Sequence, residues 1–411
     1  MGETVISRLA QVFGTDKSKL KKHNRRHEFL LEYLKNKKFQ TAIVVDGLGT
    51  SLDAIIGKNR FLNQYFIRQF ISRVEIYFWC FINGVSIRKT KIIYQLKDLN
   101  YKNDIFFCFG YCSSMFLNTN QLGNSLIKRF KGKKIVHLTH YYSNTKVISE
   151  NINKAGIQYV VAEANLKNSP YFKKFFYFIK EIIILPHVLR KKYKKTKAFS
   201  KRVNKALALG TLVINKFGDL PDKDYTNFFK IDTLHPMRKS IYQSQSKLTK
   251  YIDSLISFHN KERLEIKEKL PWYQKYWVLR ILYDLLFLSE SKTYHDLNIV
   301  KKYNEYKMFI SPEENIGLSS VNFIEGMACG CAYIGLDHSM YTDLDMRDKR
   351  EFIAYNGTIK DLIKKIHYYQ NHQRVLQRIA KRGYNFVRKN FNQKLVMSEF
   401  WENLSSLSIA K

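Results

Sequence analysis

Short apolar runs, each closed by polar or glycine-containing stretches, recur along the whole chain. In the first half they are TAIVVDGLGTSL (41–52), IYFWCF (76–81), DIFFCFGYC (104–112), KIVHLTHYY (134–142) and IQYVVAEAN (157–165). In the second half they are KALALGTLVINK (205–216), MFISPEE (308–314), CAYIGLD (331–337) and EFIAYNG (351–357). Runs this short and this apolar, alternating with helical segments, predict buried strands of parallel sheets covered by helices on both faces. Helix is expected over the basic stretch 17–37, where Phe29, Leu30, Leu31, Tyr33 and Leu34 leave a charged face. It is also expected over 238–290 and, amphipathically, from Lys360 to about Leu407. The pattern divides near residue 190.

Length fits that division. At 411 residues the chain exceeds the usual single-domain range, so two domains of roughly 180–200 residues are expected. A content of 45% hydrophobic and 15% aromatic residues excludes a disordered chain. The opening MGETVISRLAQVFGTDKSKL lacks a continuous apolar core and carries acidic residues, unlike a secretory signal. The strongest membrane-span candidate, FFYFIKEIIIL at 175–185, is short and interrupted by Lys180 and Glu181. A cytoplasmic protein, or one peripheral on the inner face of the cell membrane, is expected. The five cysteines, Cys80, Cys108, Cys112, Cys329 and Cys331, are odd in number and lack paired zinc spacing. They read as small buried hydrophobes in a reducing compartment, with no metal site.

The chemistry concentrates in SPEENIGLSSVNFIEGMACGCAYIGLD, Ser311 to Asp337. It reads as a strand end, an acidic loop, a short helix beginning near Ser319 or Ser320, a glycine break and a buried strand. Ser319 and Ser320 are good N-cap residues, and free N–H groups at a helix start suit a phosphate. Glu325 follows one to two turns in, where it can reach a ligand held at that start. Gly326, Ala328, Cys329 and Gly330 permit close packing, and Gly330 can take the positive φ that ends the helix. A diphosphate site with a carboxylate beside it suits a nucleotide whose ribose hydroxyls need an acceptor.

Glu325 with GMACGCAYI resembles the second half of the nucleotide-sugar motif of retaining GT-B glycosyltransferases, a Glu-x7-Glu followed by a small-residue, glycine-containing run. Gly317 stands where that motif has its first Glu, and Glu313 and Glu314 lie upstream of it. A loop insertion costs little entropy, so Glu314 is the candidate for the first carboxylate. The resemblance implies an α/β GT-B fold, with two Rossmann-like domains facing across a cleft. Residues 1–190 would form the acceptor-side domain and 191–390 the donor domain. A C-terminal helix over 391–411 would return to the first domain.

The same resemblance assigns further roles. In the crossing 183–216, Pro186 and Phe199 mark the linker, Lys216 would clamp the diphosphate, and Arg202 is a second candidate cation. The turn Asp46-Gly47-Leu48-Gly49 would approach the sugar or the acceptor. His140, at the carboxyl end of its run together with His137, matches a histidine near the transferred sugar. Glu163 and Asn165 end the next run. An inverting enzyme would need a general base, and Asp46 or His140 would serve.

The formal charge of +35 calls for an anionic partner: nucleotide, membrane or nucleic acid. The run RKKYKKTKAFSKR at 190–202 follows the aromatic segment FKKFFYFIKEIIIL. Such a pairing suits an acidic membrane surface, each charge contributing about 1 kcal/mol. No zinc-finger, RNP or KH signature is present, so nucleic acid is not expected. The expected activity is transfer of a sugar from a nucleotide diphosphate sugar to a glycan or lipid-linked acceptor, in bacterial surface polysaccharide synthesis, without a cofactor. The competing readings are an inverting GT-B enzyme and a basic nucleic-acid-binding α/β protein.

Overall fold

A computed structural model describes residues 42–45, 61, 64–82, 85–101, 104–108, 116, 122–138, 141–142, 144–212, 223–258 and 298–409. The strands are β1 (Ala42–Val44), β2 (Lys91–Ile93), β3 (Ile105–Cys108), β4 (Lys133–His137), β5 (Tyr159–Ala162), β6 (Glu181–Ile184), β7 (Val203–Leu212), β8 (Ile252–Phe258), β9 (Tyr306–Ile310), β10 (Ala332–Leu336) and β11 (Ile353–Tyr355). They form a β1-β2 pair, a β3-β4-β5-β6 sheet and a β11-β10-β9-β7-β8 sheet. Every pairing within them is parallel. The helices that matter below are α1 (Tyr65–Ile82), α2 (Pro236–Gln243), α3 (Asn322–Ala328), α4 (Ile359–Asn371), α5 (Gln373–Asn390) and α6 (Gln393–Ile409).

Parallel sheets need cover on both faces, and here alternate strand residues supply it. In the second sheet Ala206, Ala208, Met308, Ile310, Ala332 and Ile334 face one core, closed by Met237 and Ile241 of α2 and Leu362 and Ile366 of α4. Leu207, Leu209, Phe309 and Tyr333 face the other, closed by Phe323, Ile324 and Met327 of α3 and Val387 of α5. The first sheet follows the same rule. Phe106, Val136 and Val160 pack into one core. Phe107, Ile135, Val161 and Ile183 pack beneath Val396, Met397, Phe400 and Leu404 of α6. The last helix of the chain thus covers the first sheet. An α/β fold of two Rossmann-like parallel sheets, as a GT-B architecture requires, is what these residues build.

Two readings of the apolar pattern are corrected. IYFWCF lies within α1 and is no strand. A short apolar run alone does not separate strand from helix, and Ile76 and Cys80, one helical turn apart, are buried within it. Within 238–290, helix α2 gives way to strand β8, whose IDSLISF carries β-branched and alternating apolar positions. The expected helix at 17–37 lies outside the described residues. The region after Lys360 is helical as read, broken only near His372 and Phe391. Cys80, Cys108, Cys329 and Cys331 are free and buried, and Cys112 lies outside the described residues.

The order β8-β7-β9 reverses at β7. Ligands of open α/β sheets bind outside the carboxyl ends of strands at such a switch point. The loop after β9 begins beside it.

Close packing of α3 on α5 holds this end of the sheet. At Gly383 on α5 an added Cβ would stand 2.5 Å from the Glu351 carbonyl oxygen and 2.7 Å from Met327 Cε. Gly383→Ala is expected to cost about 1–3 kcal/mol through overpacking, read as a lower midpoint in thermal unfolding. An unchanged midpoint would contradict this contact.

Candidate active site

Three consecutive pieces of chain, 311–313, 314–318 and 319–325, carry the candidate site, and each is fixed differently. Glu313 turns into the protein. Its Oε1 accepts from Tyr333 Oη at 2.9 Å, Tyr341 Oη at 2.5 Å and the Leu336 N–H at 2.8 Å. Burial raises its pKa, and those donors oppose the rise. Glu313 is therefore an anchor for the loop after β9.

Glu314 sits in other surroundings. Its carboxyl pKa is pushed up to about 8, first by burial and then by the neighbouring Glu163, while Arg238 pulls it down. Glu314 to Gly317 form a tight turn. The Gly317 N–H donates to the Glu314 carbonyl at 3.2 Å, and Gly317 has φ +88°, a conformation that excludes most side chains. Gly317 is thus a turn residue, which explains why no carboxylate stands at its position. The tip of this turn is fastened across the domains: the Ile316 carbonyl accepts from Tyr141 Oη at 2.9 Å and from Ser169 Oγ at 3.0 Å.

Ser319 and Ser320 do not cap α3 as expected. Val321 holds the N-cap position, with φ −55° and ψ −23°, and the helix starts at Asn322. Ser320 Oγ accepts from the Asn322 N–H at 3.3 Å. The Ser319 carbonyl is drawn toward His187, whose Nε2 lies 3.3 Å from it and 3.2 Å from Glu163 Oε2. Two acceptors about Nε2 place a proton on that nitrogen. Ser319 Oγ is buried and has no hydrogen-bond partner among the described residues. Glu325, in the first turn of α3, is buried. Its charge contributes to raising the Cys329 thiol, which burial pushes to about 12. Gly330, with φ +82°, ends the helical segment as read from the sequence.

Arg202, expected as a second diphosphate cation, is placed elsewhere. Its guanidinium donates to the carbonyls of Lys197 at 2.9 Å and Cys329 at 2.8 Å and to Asn304 Oδ1 at 3.1 Å. It binds the interdomain crossing to the carboxyl end of α3, where a helix dipole favours a cation. The cation that does reach the switch point is Arg238 on α2, which composition alone could not single out. Its guanidinium packs over Gly210 of β7, where an added Cβ would meet Cζ at 2.5 Å, and Nη2 donates to the Pro312 carbonyl at 3.4 Å. His187 was also missed; its only signal is its place beside Pro186 in the crossing. Asp46, Gly47, Gly49, His140 and Lys216 lie outside the described residues. Among the described residues no cluster of His, Cys, Asp or Glu could hold a metal ion.

The site therefore combines a carboxyl group that keeps its proton to near neutrality, a carboxylate–imidazole pair, a guanidinium and an unpartnered buried hydroxyl. These groups come from the segments after β5, β6 and β9 and from α2, so both sheets contribute. Such a set can hold sugar hydroxyls and oppose the charge of a phosphate.

Residues 288–401 match a family model described as glycosyl transferase-like. The matched segment carries β9, β10 and β11 of the second parallel sheet. Among solved structures the chain is similar to a glycosyltransferase from Rickettsia africae ESF-5, at 13% identity over 77% of this chain and 79% of that one, TM-score 0.45. It is similar also to Anabaena HepE in complex with UDP-glucose, at 12% identity over 74% of this chain and 79% of that one, TM-score 0.46. A sucrose-phosphate synthase from Thermosynechococcus elongatus is a third, at 10% identity over 75% and 74%, TM-score 0.45. Likeness at this level assigns no residue. No curated protein sequence matches the chain.

Glu314 gives stability a definite pH dependence. The folded chain keeps its proton to about pH 8, whereas a freely exposed glutamate releases it near 4.5. Between those values the folded state binds more protons, so stability falls as pH rises. Glu314→Gln should flatten that fall in thermal unfolding followed from pH 5 to pH 8. An equal fall in both proteins would contradict the assignment.

Proposed function

We propose that the chain transfers a sugar from a nucleotide diphosphate sugar to a glycan or lipid-linked acceptor, in bacterial surface polysaccharide synthesis at the inner face of the cell membrane. The observation that carries this reading is the position of Glu314, between the two domains at the switch point, beside Glu163, His187 and Arg238. In this reading Glu325 accepts from the ribose hydroxyls. The N–H groups before α3, Ser319 Oγ and Arg238, with Lys216, hold the diphosphate and stabilise its charge as the sugar–phosphate bond breaks. No resident cofactor is required for that step.

Glu314 takes the sugar-side role of the motif's first carboxylate. A carboxyl protonated to about pH 8 can donate to a sugar hydroxyl or to a departing phosphate oxygen, and is a poor general base at neutral pH. This favours retention of configuration, the outcome that needs no such base. Were the reaction inverting, Asp46 or His140 would supply the base. The turn at Asp46, Gly47 and Gly49 would line the acceptor side.

A panel of nucleotide sugars, assayed for nucleoside diphosphate release, tests the proposal, with short oligonucleotides as a control for nucleic-acid binding by thermal shift. Glu325→Gln should lower turnover at limiting donor at least about tenfold, since a charge-assisted hydrogen bond is worth roughly 1.5–3 kcal/mol. Stabilisation by oligonucleotides alone, with no nucleoside diphosphate released, would overturn the proposal.

A further inference from the structure

Helix α1 has a buried side and an exposed apolar side, centred about 120° apart around its axis. One side packs on β1 and β2: Ser72, Ile76 and Cys80 are buried, and Gln69 Nε2 donates to the carbonyls of Val45 at 3.2 Å and Tyr94 at 3.1 Å. The other side carries Phe66, Phe70, Val74 and Phe81, exposed by 63, 65, 51 and 79%. At about 100° per residue these four share a stripe roughly 80° wide along the helix. A contiguous exposed apolar stripe marks an interaction or membrane surface, and among the described residues nothing covers this one.

The ground beside the stripe is basic. Arg73 flanks it, held over the Tyr94 ring at 4.7 Å. Arg88, Lys89, Lys91 and Lys97 are exposed on the following segment, against a single exposed acid there, Asp98. A second copy of the chain fits poorly, because each copy carries a formal charge of +35 and like charges repel. An acidic lipid surface satisfies both halves: headgroups meet the cations and the acyl boundary takes the phenyl rings. The segment 172–202, read from sequence as the membrane face, lacks this second half. Its Phe172, Phe176, Tyr193 and Phe199 are buried in the protein core, which leaves it Tyr177 alone as an exposed large aromatic beside its charges.

We propose that the exposed face of α1 is a docking surface for an anionic phospholipid bilayer, lying in the interface without crossing it. No helix among the described residues is long and apolar enough to span a membrane. The inference rests on the peripheral-membrane part of the functional reading and on no catalytic assignment. The full-length chain would be sedimented with phosphatidylcholine vesicles with and without phosphatidylglycerol. Binding is expected only with phosphatidylglycerol and should weaken as salt rises. Phe66→Ser with Phe70→Ser should lower partitioning about tenfold or more, with the unfolding midpoint in solution unchanged. In a second protein, Phe70→Trp, tryptophan emission should shift to the blue on phosphatidylglycerol vesicles. Salt-sensitive binding that ignores the serine substitutions would overturn the α1 assignment and leave the peripheral reading standing. Absence of vesicle binding would overturn both, and a dimer in solution lost on the serine substitutions would assign the face to a second copy.

Discussion

The two hydrogen bonds that Tyr141 and Ser169 give to the Ile316 carbonyl connect the parts of this protein on which everything else depends. Ile316 lies in the loop after β9 of the second sheet, while Tyr141 and Ser169 follow β4 and β5 of the first sheet. A buried carbonyl loses water on folding and must be repaid by donors of good geometry; here both come from across the domain boundary. Glu313, three residues earlier, is tied into the second domain by Tyr333, Tyr341 and Leu336. Glu314 lies between those two attachments, so its place is set by both domains at once. His187 adds a third tie, joining Glu163 on one side to the Ser319 carbonyl on the other.

That arrangement accounts for the chemistry proposed for Glu314. A carboxyl group beside another carboxylate and shielded from water keeps its proton to higher pH. Here the second carboxylate is Glu163, at the end of β5, and Arg238 from α2 offsets part of its effect. The parallel sheets supply the rigid platform, and Glu314 follows β9 beside the switch point at β7. Arg202 does not touch this chemistry, yet it secures the crossing segment to the end of α3.

Much of this was legible in the sequence because apolar runs report burial directly. Each strand of the second sheet except β8 was read as an apolar run, and the glycine break after α3 fell at Gly330. The misreadings share a cause. IYFWCF is apolar throughout, and only its neighbours at helical spacing reveal the helix. The start of α3 shifted to Asn322 because the Ser319 carbonyl is engaged by a distant histidine, a contact that local capping preference does not encode. Arg238 and His187 matter through tertiary placement, and in a chain with 70 Lys and Arg no spacing distinguishes one cation from the rest. Phe172, Phe176 and Tyr193 beside basic residues suggested a surface and are core.

The central claim is that fastening the Ile316 turn to the first domain positions Glu314 for sugar transfer. It is tested most directly by kcat/KM for nucleoside diphosphate release in the double substitution Tyr141→Phe with Ser169→Ala, which removes both donors and keeps the rings and backbone. The account predicts a loss of about tenfold or more, as expected when a positioned group is displaced by a fraction of an ångström. It also predicts that adding Glu314→Gln costs much less in that background than in the intact chain. Unchanged kcat/KM, or a Glu314→Gln effect that simply adds, would contradict it.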